Sequence, residues 1–152
     1  MNDIQEEVII ESEYPEPLSQ SDERTWAMLA HLSTLLNLIT GFLGPIAALV
    51  IYLVFKDRSR FVAYQSMQSF VFQLVFWLGA GVLAAIIWTI SLLFSIVIVG
   101  LCLIPVAFVI SLVPFAALVY SVFAAIQCSE GVNFKYWLVG DWVRGTYENP
   151  EI

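Results

Sequence analysis

The sequence predicts an all-α fold: an integral membrane helical bundle of three transmembrane helices, with a kinked first span and a C-terminal interfacial segment. Three observations predict it. Hydrophobic residues make up 60 % of the 152-residue chain and charged residues 12 %, against about half and about a quarter in a soluble domain, and the mean hydropathy is +0.84. The apolar residues are contiguous, since neither 26–55 nor 61–129 contains an Asp, Glu, Lys or Arg. Crossing a hydrocarbon core about 30 Å thick takes roughly 20 residues at about 1.5 Å each, so the first run suffices for one crossing and the second for two. A soluble helix needs a polar face, yet 70–90 offers only Gln73 and Thr89 as polar side chains. The long runs also lack the alternation of a barrel strand, which leaves helices.

Residues 1–25 read as a disordered acidic tail. Asp3, Glu6, Glu7, Glu11, Glu13, Glu16, Asp22 and Glu23 surround Pro15 and Pro17, with Arg24 as the single base. Such a stretch buries too little apolar surface to order itself, although Val8, Ile9 and Ile10 suit a short docking strand or helical turn. It has neither the basic start nor the apolar core of a secretory signal. The formal charge of -7 comes mostly from this tail and argues against nucleic acid as a partner.

The first span is expected over about 26–55. Ser21 or Asp22 is placed to cap it, and Trp26 suits the headgroup level. Ala30, Ser33, Asn37, Thr40, Gly41, Gly44 and Ala48 recur at steps of three and four, giving one face of small and polar residues for close helix contact in lipid. Pro45 should kink the span. The alternative is a re-entrant hairpin turning at Gly41 to Pro45. His31 reads as a hydrogen-bonded packing residue, because no second histidine exists to share a metal.

The turn 56–60 holds Lys56, Arg58 and Arg60, and the positive-inside rule puts it on the cytoplasmic side. With three crossings Lys135 and Arg144 join it there, while the acidic tail lies outside; four crossings or a re-entrant first segment would return the amino terminus to the cytoplasm. The second span follows over about 61–93. On it Gln65, Ser69 and Gln73 stand at i, i+4 and i+8, with Gln68 displaced around the helix. An amide facing lipid leaves donors and acceptors unpaired, so this stripe must face protein or water. Its natural partners are His31 or the face carrying Ser33, Asn37 and Thr40; lining a polar passage is the alternative. Gly79 and Gly81 permit close packing of this helix.

The third span is expected over about 103–128, after a turn near 95–104, with Pro105 near its start, Pro114 bending its middle and Gly131 ending it. The remaining residues, 130–152, form an amphipathic interfacial segment and tail in which Phe134, Lys135, Tyr136, Trp137 and Trp142 are the anchor candidates, a docking surface for a partner protein being the alternative.

Three stretches together, "WAMLAHLS", "GPIAALVIYLVFKDRSRFVAYQSMQSFVFQ" and "AAIQCSEGVNFKYWLVGDWV", resemble the bacterial relatives of the chloroplast inner-envelope Tic protein-import family. The likeness covers about 26–143 and rests on His31, Pro45, Phe61, Val62, Gln65, Gln68, Gln73, Gly131, Phe134, Lys135 and Tyr136. It departs at Trp137, where the family usually has Pro, and often at Gln65, where it has His. The resemblance implies a small multi-pass membrane protein, with a translocon role among the plant members.

No phosphate loop, nucleophile elbow or His-Glu pair occurs, and Cys102 and Cys128 fall near opposite ends of one helix. The apolar runs carry no ionisable Asp, Glu, Lys or Arg to mark a transport path. The sequence therefore predicts no enzyme, no catalytic residue, no cofactor and no metal. It predicts a scaffold or accessory subunit of a membrane complex, with a translocon-like channel component as the alternative. The expected partners are the lipid bilayer and other membrane subunits or further copies of the chain. The expected location is the cell membrane, multi-pass, with loop 56–60 and the C-terminus cytoplasmic.

Overall fold

The computed structural model describes residues 16–148. The stretch before Glu16, including the docking element expected at Val8–Ile10, and residues 149–152 lie outside the described residues. All regular structure among the described residues is helical.

Helix α1, Gln20–Leu32, starts inside the segment read as tail. Its cap is Ser19 rather than Ser21 or Asp22: Ser19 is extended and its Oγ accepts from Asp22 N at 3.2 Å. Asp22 and Glu23 then fall in the first turn, where their charge complements the helix dipole. The chain continues through a 3₁₀ turn, Ser33–Leu36, and a short α2, Asn37–Thr40, and breaks at Gly41, whose φ of 80° is the left-handed conformation only glycine adopts freely.

From there α3, Leu43–Phe55, runs back along α1. The rings of Trp26 and Phe55, at the far ends of the two arms, sit 4.6 Å apart. The first apolar run is thus a helical hairpin, and the kinked span expected over 26–55 is corrected. Pro45 causes no kink because it is the third residue of α3, where the missing N–H has no intrahelical acceptor to lose. Ala30, Ser33, Asn37, Gly44 and Ala48 are buried as one face, but the break turns Thr40 and Gly41 away from it.

Ser59 caps α4, Arg60–Gln73, its Oγ accepting from Val62 N at 3.1 Å. A π-helical segment, Leu74–Gly79, and α5, Ala80–Leu93, extend α4 into one rod of 34 residues. After a turn at 94–97, earlier than expected, α6 runs over Ile98–Ser129, 32 residues, so Pro105 and Pro114 both lie inside it. Each rod is about 50 Å long, more than the roughly 30 Å of a hydrocarbon core. These two helices are long and apolar enough to cross a membrane. Gly79 and Gly81 make no close helix contact: a Cβ at Gly81 would meet nothing within 4 Å, and one at Gly79 only Leu74 O at 3.6 Å. Trp77 Nε1 donates to Gly41 O at 2.6 Å and ties the hairpin tip to the π-helical segment.

Past Gly131, at φ 82°, the chain crosses beneath α4 and enters α7, Gly140–Glu148. The apolar core sits there, with Phe72 from α4, Ala117 and Ala124 from α6, and Tyr136 and Val139 from the crossing segment. Three chain regions gather at this end. Arg58 Nε donates to Glu16 O at 2.9 Å, Ser59 Oγ donates to a Glu23 carboxylate oxygen at 2.6 Å, and Arg24 lies against Gly131. The start of α1 therefore shares one end with loop 56–60 and the C-terminal segment, the arrangement expected of a re-entrant first segment and not of three crossings.

Candidate functional site

The first turn of α4 sets the phase of everything on it. With Ser59 as cap, Ser69 and Gln73 point at the α1–α3 hairpin, Gln65 points at His31 of α1 and at the crossing segment, and Gln68 points at the crossing segment. Two nodes result.

The first node centres on Gln65. Its Oε1 accepts from His31 Nε2 at 3.0 Å and from Gln68 Nε2 at 3.2 Å, while its Nε2 donates to Asn133 Oδ1 at 2.9 Å and to Phe134 O at 3.0 Å. Both acceptor and donor capacities of the amide are filled. Gln68 Oε1 accepts from Tyr136 N at 2.8 Å, and its Nε2 donates to Phe134 O at 3.1 Å. The Tyr64 hydroxyl lies 3.1 Å from Gln68 Oε1 and 3.3 Å from Gly140 O. The Tyr136 hydroxyl lies 3.0 Å from His31 Nδ1 and 3.1 Å from Ser121 Oγ.

The second node centres on Gln73. Its Nε2 donates to Ser33 Oγ and to Ser69 Oγ, both at 3.1 Å, and its Oε1 accepts from Asn37 Nδ2 at 3.2 Å. Asn37 Oδ1 in turn accepts from Gly44 N at 2.8 Å, which satisfies an N–H at the start of α3 that no cap serves. Ser69 Oγ donates to Ala30 O at 2.7 Å. A Cβ on Gly44 would come within 2.3 Å of Gln73 Oε1 and 2.7 Å of the Asn37 amide, so only glycine lets α3 approach this closely.

Exposure within the chain bears on both readings, packing and passage. His31, Gln65, Gln68 and Ser69 are 0 % exposed, Gln73 is 1 % and Asn37 2 %. A row of amides lining water shows accessible faces, and this row shows none. Among the described residues no three His, Cys, Asp or Glu side chains gather to hold a metal ion. The network holds neutral groups alone, and what it does chemically is fix the register of α1, α3, α4 and the crossing segment.

His31 is neutral there. Gln65 Oε1 requires the proton on Nε2, leaving Nδ1 as acceptor for the Tyr136 hydroxyl.

The structure brings together all seven polar residues singled out in the sequence: His31, Ser33, Asn37, Gln65, Gln68, Ser69 and Gln73. It treats the anchor candidates differently from one another. Trp137 and Trp142 are exposed, Lys135 pairs with Asp141 at 2.7 Å, and Phe134 is half-buried. Tyr136, expected as an interfacial anchor, is instead 0 % exposed, because Gly131 turns the chain so that this ring stacks on Phe72 with centroids 3.9 Å apart. Asn133, Ser121 and Tyr64 carry no sequence signal that marks them as members.

The sequence model of the magnetosome magnetite crystal formation protein family matches residues 22–143. No curated protein and no solved structure matches the chain. The match overturns the resemblance to the Tic import family. Of the residues on which that resemblance rested, His31, Gln65, Gln68, Gln73, Phe134 and Tyr136 all belong to the buried network or its backbone contacts, so they report how a small bundle closes and carry no information about import.

Proposed function

The chain belongs to the magnetosome magnetite crystal formation protein family, and from that premise we propose that it is a non-enzymatic accessory subunit of the magnetosome membrane, supporting crystal formation as a scaffold. One observation carries the scaffold reading: every amide of the α4 stripe is paired within the chain, so none is left for a passage or a substrate. The translocon-like alternative needs those amides facing water.

The proposed topology has two crossings, Arg60–Leu93 and Ile98–Ser129, with the α1–α3 hairpin dipping into the bilayer and returning. All six bases, Arg24, Lys56, Arg58, Arg60, Lys135 and Arg144, flank the end where the hairpin begins, and the turn at 94–97 carries no charge. By the positive-inside rule that end faces the cytoplasm. Outward apolar side chains such as Val50, Leu53, Val109 and Phe115 meet lipid, other subunits or another copy.

Gln73→Leu tests the scaffold against the channel. It leaves Asn37 Nδ2 without its acceptor and removes one donor from each of Ser33 Oγ and Ser69 Oγ, at an expected cost of about 1–2 kcal/mol, so thermal stability and recovery of the assembled protein should fall. Proteoliposome conductance should stay at the level of empty vesicles for both wild type and variant. A wild-type conductance that the variant abolishes while assembly survives would establish the channel reading in its place.

A further inference from the structure

We propose that one acyl chain of a membrane phospholipid occupies a defined groove at the charged end of the long helical rods. The groove has a volume of about 330 Å³ and almost no polar lining. Phe72 and Phe76, where α4 passes into the π-helical segment, form one wall, Val113 and Ala117 of α6 the other, and Trp137 and Leu138 close the end nearest the charged loops. Trp137 and Leu138 are 80 % and 54 % exposed, although Tyr136 beside them is wholly buried. Two large apolar side chains are thus held out from a segment that had a core to enter.

The occupant follows from continuity with the surface around the groove. Both walls belong to helices long and apolar enough to cross a membrane, and Val109, Leu112 and Phe115 on α6 extend the same apolar surface outward. A chain of methylenes lying on that surface runs into a groove whose lining is almost wholly apolar. At the Trp137 end the chemistry changes. Lys135 and Asp141 are paired at 2.7 Å there, and the ammonium keeps two further donors for a phosphate. Apolar length at one end and paired charges at the other match a phospholipid. The inference rests on the membrane reading above and is independent of any role in crystal formation.

The test uses the full chain in nanodiscs of phosphatidylethanolamine and phosphatidylglycerol, doped with a phospholipid carrying a diazirine on one acyl chain. After irradiation, peptides holding residues 113–120 and 137–138 are expected to carry more label than the exposed belt around Val82 and Ile86. Ala116→Trp, which fills the groove from its edge, should lower the groove label roughly tenfold, the equivalent of about two lost methylene contacts, and leave belt label unchanged. Leu138→Ala, which opens the groove end without filling it, should lower it less. Equal labelling of groove and belt overturns the proposal, as does groove label that survives Ala116→Trp, or crosslinks joining the groove to a second copy. Loss of belt label as well would instead remove the membrane topology on which the groove depends.

Discussion

Tyr136→Ala is expected to cost about 4 kcal/mol, the size seen when a buried aromatic is truncated to a cavity. The ring is the keystone between the crossing segment and the helices. It stacks on Phe72 with planes only 2° apart, meets Tyr120 and Phe134 edge-on, and brings its hydroxyl to His31 and Ser121. Losing it should free residues 133–148, so hydrogen exchange there should rise along with a lower unfolding temperature in detergent. Tyr136→Phe separates the two contributions: it keeps the ring and is expected to cost about 1–2 kcal/mol, from the hydroxyl alone. If the alanine variant proves no less stable than the phenylalanine one, the ring does not lock the segment and the packing argument fails.

Gln65→Leu is expected to cost on the order of 4 kcal/mol, although leucine is close in volume and far more apolar. The cost lies in what remains. His31 Nε2 and Asn133 Oδ1 lose their partner, and Gln68 Nε2 and Phe134 O each lose one of two. A buried donor or acceptor left alone costs about 1–3 kcal/mol, much more than the pair had contributed. The double variant His31→Leu, Gln65→Leu should accordingly be less destabilised than the two single changes summed, since each removes a group the other leaves stranded. Additive costs across that cycle would show that the two residues do not share a network.

These expectations indicate which parts of the molecule were legible in the sequence. The stripe of Gln65, Ser69 and Gln73 was legible because an amide in an apolar run has nowhere to go except protein or water, and its partners Ser33 and Asn37 stood at helical spacing. The hairpin was harder. A run of 30 uncharged residues, 26–55, is long enough to cross, and only Gly41 with Pro45 marked a place to turn; the deciding contact, Gly44 N to Asn37, depends on how closely two backbones approach. Tyr136 misled for a different reason. A tyrosine between Lys135 and Trp137 has the composition of an interfacial belt, and its burial follows from the path set at Gly131, which no local pattern reports. The π-helical segment over Leu74–Gly79 likewise has no residue signature; it carries Trp77 onto the hairpin tip.

The distance in sequence between His31 and its partners bears on how the protein is made. Gln65 is 34 residues downstream and Tyr136 is 105. At about 5–20 residues per second, roughly 5–20 s of synthesis separate the histidine from the tyrosine. Throughout that interval His31 Nδ1 lacks the hydroxyl that donates to it, so the first node stays incomplete. Closure of the bundle follows synthesis of the crossing segment that carries Asn133, Phe134 and Tyr136.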